Sequence, residues 1–574
     1  MEPAFSFLLA QSVETQKYIL RMEVWENKQM VKTMRKRILA MMMALTLSAG
    51  LLAGCQKPVD TLVDPASDAA QTTGTSATSG DSVTGHTASQ NSTTQSEDLT
   101  TSSETDKPTT PSASANPTKP TTSGSSVPPG PTSPNNPEVK ATVSLAYIFT
   151  DHTVLQRDKK VKIWGTCTGA DTVEVSFQNQ CKTGRVTGGA FSVYLDPMAA
   201  NANGGTLTVT AGNATDSISD VLVGDVWLCS GQSNMEWTVG ALNTEQRVQI
   251  DKWSGNAQIR LAKIPRFSAR TECAEFDKKI VWTDSSYTNL LPNSAYAFVF
   301  GARLQRELNV PIGIINSSFG GTDLEQWISA ATLNKLGIRY GSPGSKYNYM
   351  IAPMKGLSIK GILWYQGENN TGRLNSYTDM FNAYAAQYRA EFEDPDLPII
   401  TTMLDRYGAE EQKWAPFRLE QWAIAQGDPR IEIVCPIDLG DRTNIHPNDK
   451  CELGVRAAEL TLNKVYGKTS LPGQSAAPSG MTRSGDTLHI RFHDAQSGLC
   501  LSNGAATVAS LVVVDAAGAN HPVAGTLDGD KLVVSLTGIS SPVCVRYAYA
   551  MYPDPINFYT QNGLPVAPFE LAIQ

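Results

Sequence analysis

Hydrophobic and polar positions change their rhythm several times along the 574 residues. From Gln56 to about Asn136 the chain is Ser, Thr, Pro, Gly and Asp, and no aromatic residue occurs between Trp25 and Tyr147. Such a stretch cannot bury enough apolar surface to offset its chain entropy, so residues 56–139 read as a disordered tether. Near Lys140 alternation begins. Val161-Lys162-Ile163-Trp164, Val173-Glu174-Val175-Ser176-Phe177, Phe191-Ser192-Val193-Tyr194-Leu195 and Leu207-Thr208-Val209-Thr210 are short two-residue-period segments between Gly-rich turns. They predict a β-sandwich over 140–221.

At Val221 the period changes. Asp225-Val226-Trp227-Leu228-Cys229, Ile312–Asn316, Gly361–Tyr365, Pro398–Met403 and Ile431–Val434 read as five buried strands. Helical periodicity falls between and after them, over Ser294–Leu308, Asp323–Leu336, Ser376–Phe392, a stretch before Ile431, and Cys451–Val465. Strands alternating with helices predict a parallel sheet over 222–468, covered on both faces, with its site beyond the carboxyl ends of the strands. After Lys468 alternation returns in Leu488–Phe492, Ser510–Val514 and Lys531–Ser535, predicting a second β-domain over 469–574.

Composition changes the picture little: 41% hydrophobic, 18% charged, net charge −8. Without a Lys/Arg cluster beyond the N-terminal run, nucleic acid is not an expected partner. The N-terminus adds more. Met34-Arg35-Lys36-Arg37, the apolar run Ile38 to Leu52 and Leu52-Ala53-Gly54-Cys55 make a secretory signal over 1–55, with Met34 as the expected true start. Leu-Ala-Gly-Cys resembles the bacterial lipobox, so Cys55 is the expected lipidation site. Contact with a membrane is expected only through that anchor, on an extracytoplasmic lipoprotein. Export permits disulfides. Cys167 with Cys181, Cys435 with Cys451, and Cys500 with Cys544 are the candidate pairs, with free buried thiols as the alternative. No CxxC or HxxxH spacing marks a metal site.

The chemistry concentrates at strand ends. Gly231-Gln232-Ser233-Asn234-Met235 follows the first buried strand, where a serine is exposed on a tight turn with its N–H toward an incoming oxyanion. A serine in a turn also serves as a cap or backbone partner. The histidine supply separates these roles. His446 is the one histidine between Val221 and Lys468, and it follows the fifth strand in Asn444-Ile445-His446-Pro447. It therefore falls on the same sheet edge, where it can take the Ser233 hydroxyl proton. Asn316-Ser317-Ser318-Phe319-Gly320-Gly321-Thr322 and Trp364-Tyr365-Gln366-Gly367-Glu368 occupy two further strand ends. Glycines there let backbone N–H groups approach a ligand, and the Gln366 amide can donate to an oxyanion.

Gly224-Asp225-Val226-Trp227-Leu228-Cys229-Ser230-Gly231-Gln232-Ser233-Asn234-Met235 resembles the hallmark of the sialate O-acetylesterases, a family of SGNH-type hydrolases. The three other strand-end blocks match in order. So do Thr150-Asp151-His152-Thr153-Val154-Leu155-Gln156-Arg157 and Val545-Arg546-Tyr547-Ala548-Tyr549-Ala550, and the likeness runs from about Val143 to the C-terminus. The resemblance implies a flavodoxin-like three-layer α/β/α core flanked by N- and C-terminal β-sandwiches. It implies Ser233 as nucleophile, His446 as base, and an oxyanion hole from the Ser233 N–H, Gly320 or Gly321, and Gln366. No metal or organic cofactor is implied, and the substrate is an O-acetylated sugar or glycan. Many SGNH enzymes carry an Asp three residues before the His. Here that residue is Thr443, which leaves Asp441, Asp438 or Glu368 as the third member, or a backbone carbonyl in a Ser–His dyad.

Two other readings share these residues. Acetylxylan and other polysaccharide acetylesterases carry the same Gly-Gln-Ser-Asn-Met block. A catalytically silent glycan-binding lipoprotein would keep the β-domains without the chemistry, which the presence of Ser233, Gln366 and His446 disfavours. A sialic acid substrate calls for an Arg to meet its carboxylate, and Arg270, Arg406 and Arg442 are the candidates.

Overall fold

The computed structural model describes residues 140–408 and 413–574; the signal, Cys55 and the tether lie outside the described residues. The described part is a mixed α/β structure built on large sheets. Its organising element is one long strand. Strands β1 (Thr142–Leu145), β2 (Val154–Gln156), β3 (Val161–Thr168), β4 (Thr172–Phe177), β5 (Gln180–Thr187), β6 (Ala190–Leu195) and β7 (Asn201–Ala211) lead into β8 (Ala214–Gly231). The first half of β8 pairs antiparallel with β7, from Ala214 opposite Ala211 to Val223 opposite Asn201. Its second half is the central strand of a parallel sheet. The burial pattern shows the handover: exposed and buried residues alternate at first, then everything from Val221 to Gly231 is buried. The boundary expected at residues 221 and 222 therefore falls inside a continuous strand.

The parallel sheet continues with β9 (Ile259–Lys263), β10 (Trp282–Asp284), β11 (Ile312–Ser318), β12 (Gly361–Tyr365), β13 (Ile399–Thr402) and β14 (Ile431–Val434). The five strands expected from the sequence, β8, β11, β12, β13 and β14, stand in the order β11-β8-β12-β13-β14. Counted among themselves, these five run 2-1-3-4-5. β9 and antiparallel β10 extend the β11 edge. β9 was hidden in the sequence because Arg260 interrupts its apolar run; that arginine is buried and pairs with Asp220 at 2.8 Å.

Helices Ala295–Leu308, Leu374–Glu391, Trp414–Gly427 and Lys450–Lys464 lie near their expected positions. The helix expected over Asp323–Leu336 is broken. A 3₁₀ turn, Leu324–Trp327, precedes a short helix, Ala330–Lys335, whose cap is the Ser329 side chain accepting from the Thr332 N–H. The last region forms a seven-stranded antiparallel sheet. It holds β15 (Ala477–Ser484), β16 (Thr487–His493), β18 (Val508–Asp515), β19 (Asn520–Asp528), β20 (Lys531–Ser535), β21 (Pro542–Tyr547) and β23 (Phe569–Ala572). β17 (Leu499–Leu501) and β22 (Phe558–Thr560) pair separately.

The Gln156-Arg157 segment clamps the amino end of the parallel part of β8. Arg157 Nε and Nη2 reach the Asp225 carboxylate at 3.0 and 2.9 Å, the Gln156 amide donates at 3.0 Å, and the Tyr466 hydroxyl at 2.9 Å. Asp225 is buried, and these donors replace the water it gives up.

The candidate disulfides are corrected: Cys167, Cys181, Cys435, Cys451, Cys500 and Cys544 are free thiols. Cys167 is buried while Cys181 is exposed, and Cys500 and Cys544 belong to different sheets. The Cys451 Sγ is turned to the Gln246 carbonyl at 3.8 Å. Burial pushes the Cys435 and Cys451 thiols up to about 12, so both stay protonated.

Candidate active site

Three strands end level with one another. Gly231 at the end of β8 stands opposite Ser318 of β11 on one side and Tyr365 of β12 on the other. Their following loops carry Gln232-Ser233, Phe319-Gly320-Gly321 and Gln366-Gly367-Glu368. Gly231 has φ +137°, and a Cβ there would fall 2.1 Å from the Tyr365 carbonyl oxygen, so only glycine lets the chain turn here. The Gln232 N–H then bonds the Tyr365 carbonyl at 2.9 Å, and Ser233 opens a one-turn helix, Ser233–Glu236. Asn234 and Met235 are buried while Ser233 is half-buried at the crevice.

His446 reaches this turn from the loop after β14, and Asn234 makes the connection. Its Nδ2 donates to Glu368 Oε1 at 2.6 Å and to the Ile445 carbonyl at 3.0 Å, while its Oδ1 accepts from Lys450 Nζ at 2.7 Å. The residue after Ser233 is thus bonded to the residue before His446. Trp237 completes the arrangement: its N–H bonds the Ser233 carbonyl at 2.8 Å, and its ring stacks on His446 at 4.3 Å and 15°. Desolvation, then the Lys450 charge, holds the His446 imidazole below its ordinary value of 6.5, so it is a neutral base near pH 7.

Beneath the turn lies a buried charge group. Burial raises the Glu368 carboxyl to about 7 and the Asp405 carboxyl to about 6, and lowers the Lys450 ammonium to about 8. Lys450 acts on both carboxylates, so the three hold one another in place.

None of the three acids expected beside His446 hydrogen-bonds its ring. Asp441 caps its own turn, its Oδ1 accepting from the N–H groups of Thr443 and Asn444 and from the Thr443 hydroxyl; these bonds also lower its carboxyl. Asp438 is taken by Arg456 at 2.7 and 2.9 Å. Glu368 lies under Asn234, with its second oxygen buried and unpaired. Among the described residues the ring is stacked by Trp237, while the Asn444 side chain fixes the His446 backbone, accepting from its main-chain N–H and donating to its carbonyl.

The expected oxyanion donors are only partly free. Gln366 is fully buried, and its amide hydrogens go to the Thr322 carbonyl at 3.2 Å and Asn370 Oδ1 at 2.6 Å. It ties the ends of β11 and β12 together and does not open on the crevice. The exposed amide is Asn369, three residues later, whose Nδ2 donates to the Gly321 carbonyl at 3.1 Å. Gly320 lies against Ser233, since a Cβ there would come within 3.2 Å of the Ser233 Cβ, but its N–H is held by Glu236 Oε2 at 2.7 Å. The Ser233 and Gly321 N–H groups have no acceptor among the described residues.

The chain matches the family described as "Carbohydrate esterase, sialic acid-specific acetylesterase" over residues 223–463, from the parallel half of β8 to the last turn of helix Lys450–Lys464. A carbohydrate acetylesterase from Xanthomonas citri of known structure is 30% identical, with a TM-score of 0.70, covering 75% of this chain and 99% of that one. The chain belongs to the sialate O-acetylesterase family. The mouse sialate O-acetylesterase is 26% identical over 74% of this chain and 93% of its own. The human protein is 32% identical over 41% of this chain and 50% of its own.

The protein is thus a hydrolytic esterase. Its Arg270 is exposed, away from any ion pair among the described residues. Its Arg406 bonds the Pro553 carbonyl and Asp554, and its Arg442 lies over the Tyr552 ring at 4.4 Å. Sequence reasoning passed over Asn234, Trp237, Lys450 and Asn369. For the last, the sequence carries no signal that separates it from Gln366: the 3₁₀ turn Glu368–Asn370 after β12 buries Asn370 and exposes Asn369.

Proposed function

We propose that the esterase removes O-acetyl groups from sialic acids through an acetyl-enzyme on Ser233. The Ser233 Oγ attacks the acetyl carbonyl carbon as its proton passes to His446 Nε2 or Nδ1. The carbonyl oxygen takes the negative charge, met by the Ser233 and Gly321 N–H groups and the Asn369 amide. On collapse the C–O bond to the sugar breaks, and His446 returns its proton to the leaving sugar oxygen. Water then gives a proton to His446 and attacks the acetyl-serine carbonyl; the bond from that carbon to Ser233 Oγ breaks, His446 returns the proton to Oγ, and acetate leaves. The observation that carries the reading is the pair of hydrogen bonds that the Asn234 amide donates to the Ile445 carbonyl and Glu368, which joins the serine turn to the loop of a neutral histidine.

The finer architecture of the reading is a three-layer core between two β-sandwiches, supported by the strand order. The enzyme would act outside the cytoplasm, tethered through a lipid on Cys55, which the Leu52-Ala53-Gly54-Cys55 motif supports. Cys55→Ala should then move the protein from the membrane fraction to the soluble one. Acetate release from 9-O-acetyl sialic acid and from acetylated xylan, with Ser233→Ala as control, tests the substrate. Release from the sialic acid, abolished in the variant, supports the reading; release from xylan alone overturns it.

A further inference from the structure

Beside the nucleophile lies a group of charges that the acetyl chemistry leaves unused. Glu236 closes the nucleophile helix, and its carboxylate bridges two neighbours: Oε2 accepts from the Gly320 N–H and Oε1 from Arg266 Nη1, each at 2.7 Å. Lys263 is close enough to feel the Glu236 charge, and its ammonium donates to the Pro292 carbonyl at 2.6 Å. Phe319, next to Gly320, carries two cations on its ring, Arg266 at 5.5 Å and Lys346 at 3.5 Å from the centroid. Lys346 in turn donates to the Ser268 hydroxyl at 2.5 Å. Glu236 thus stands with Arg266 and Lys263, while Lys346 joins the group through the Phe319 ring.

These cations differ in what they have left to give. Both lysines already have protein acceptors. Across the crevice Arg373 is consumed by Asp323 at 2.9 Å, Glu325 at 2.8 Å and the Asn369 carbonyl at 3.3 Å. Arg266 uses Nη1 alone, and its side chain is 56% exposed where Glu236 is 17% exposed. A guanidinium with one arm fixed and the rest open presents a planar fork for a second carboxylate.

We infer that Arg266 is the specificity-determining residue, binding the carboxylate of an acidic sugar while that sugar's acetyl group lies at Ser233. Glu236 fixes the guanidinium from one side and Phe319 supports its face. Exposed Phe267, beside it in sequence, adds an apolar surface for the sugar. Because Glu236 joins Arg266 to Gly320, the carboxylate site is two hydrogen bonds from the glycine that touches the nucleophile.

The inference rests on the proposed sialic acid reaction, and the test separates the two. Acetate release by the full chain is followed with 9-O-acetyl sialic acid and with its C1 methyl ester, which has the same acetyl group and no carboxylate charge. The wild type should favour the acid in kcat/KM by about 10- to 100-fold, mainly through KM. Arg266→Gln should lose that preference, and Arg266→Lys should recover part of it. Equal turnover of acid and methyl ester by the wild type overturns the inference and leaves the reaction standing. An Arg266→Gln protein that keeps the preference also overturns it. No acetate from either compound overturns the reaction and the inference together.

Discussion

The two ends of the parallel half of β8 make opposite use of polar groups. At the amino end Asp225 is surrounded by donors from Gln156, Arg157 and Tyr466. At the carboxyl end Gly231 takes a conformation open to few residues, and the Ser233 N–H two residues on has no acceptor among the described residues. Saturation at one end holds the strand in register. Incompleteness at the other is what a reaction needs, since donors already spent in the ground state cannot be strengthened in the transition state. Glu236 on the Gly320 N–H is the intermediate case: a donor at the reactive end held by a side chain from within the site.

The comparison breaks most sharply at Ser233. Ser233→Ala should lower kcat by roughly 10⁴-fold or more with the melting temperature unchanged, which steady-state acetate assays and calorimetry report together. The opposite signature belongs to Asp225→Ala. It leaves two Arg157 nitrogens, the Gln156 amide and the Tyr466 hydroxyl without their acceptor, and should cost about 2–4 kcal/mol in denaturant unfolding. Activity per folded molecule should stay close to that of the parent. Asn369→Ala should reduce kcat by about 10²-fold, whereas Gln366→Ala should act first on stability; kcat and the unfolding midpoint, measured on both, distinguish an oxyanion donor from a tie between strand ends.

The smallest effect concerns pH. His446 must be neutral to accept a proton, and its value is depressed. The acid limb of kcat/KM should therefore fall below the ordinary imidazole value of 6.5, with activity lost as pH drops through that limb. Lys450→Met removes the second cause of the depression and should move the limb upward; a downward movement would deny the lysine that influence.

What the sequence revealed follows the same division. The meeting of the Ser233 turn with the His446 loop was legible because a strand end and a single histidine between Val221 and Lys468 leave few alternatives. The five parallel strands were legible because full burial writes a continuous apolar run. Gln366 and Asn369 were not distinguishable, since two neutral amides three residues apart differ only in which way a 3₁₀ turn faces them. The acids were equally opaque. Asp438 and Asp441 are close to His446 in sequence, but Arg456 and the turn's own N–H groups claim them first. The continuity of β8 was hidden because its change from alternation to full burial reads like the start of a new domain.

That continuity sets how the molecule comes apart. A strand that is antiparallel in one half and parallel in the other cannot lose its β7 partner without unzipping toward Gly231. The amino-terminal strands and the reactive crevice should then melt in one cooperative transition. Proteolysis near residue 221 should occur only in molecules that have already lost activity, so the first β-region behaves as a lock on the sheet's tension and not as a detachable appendage.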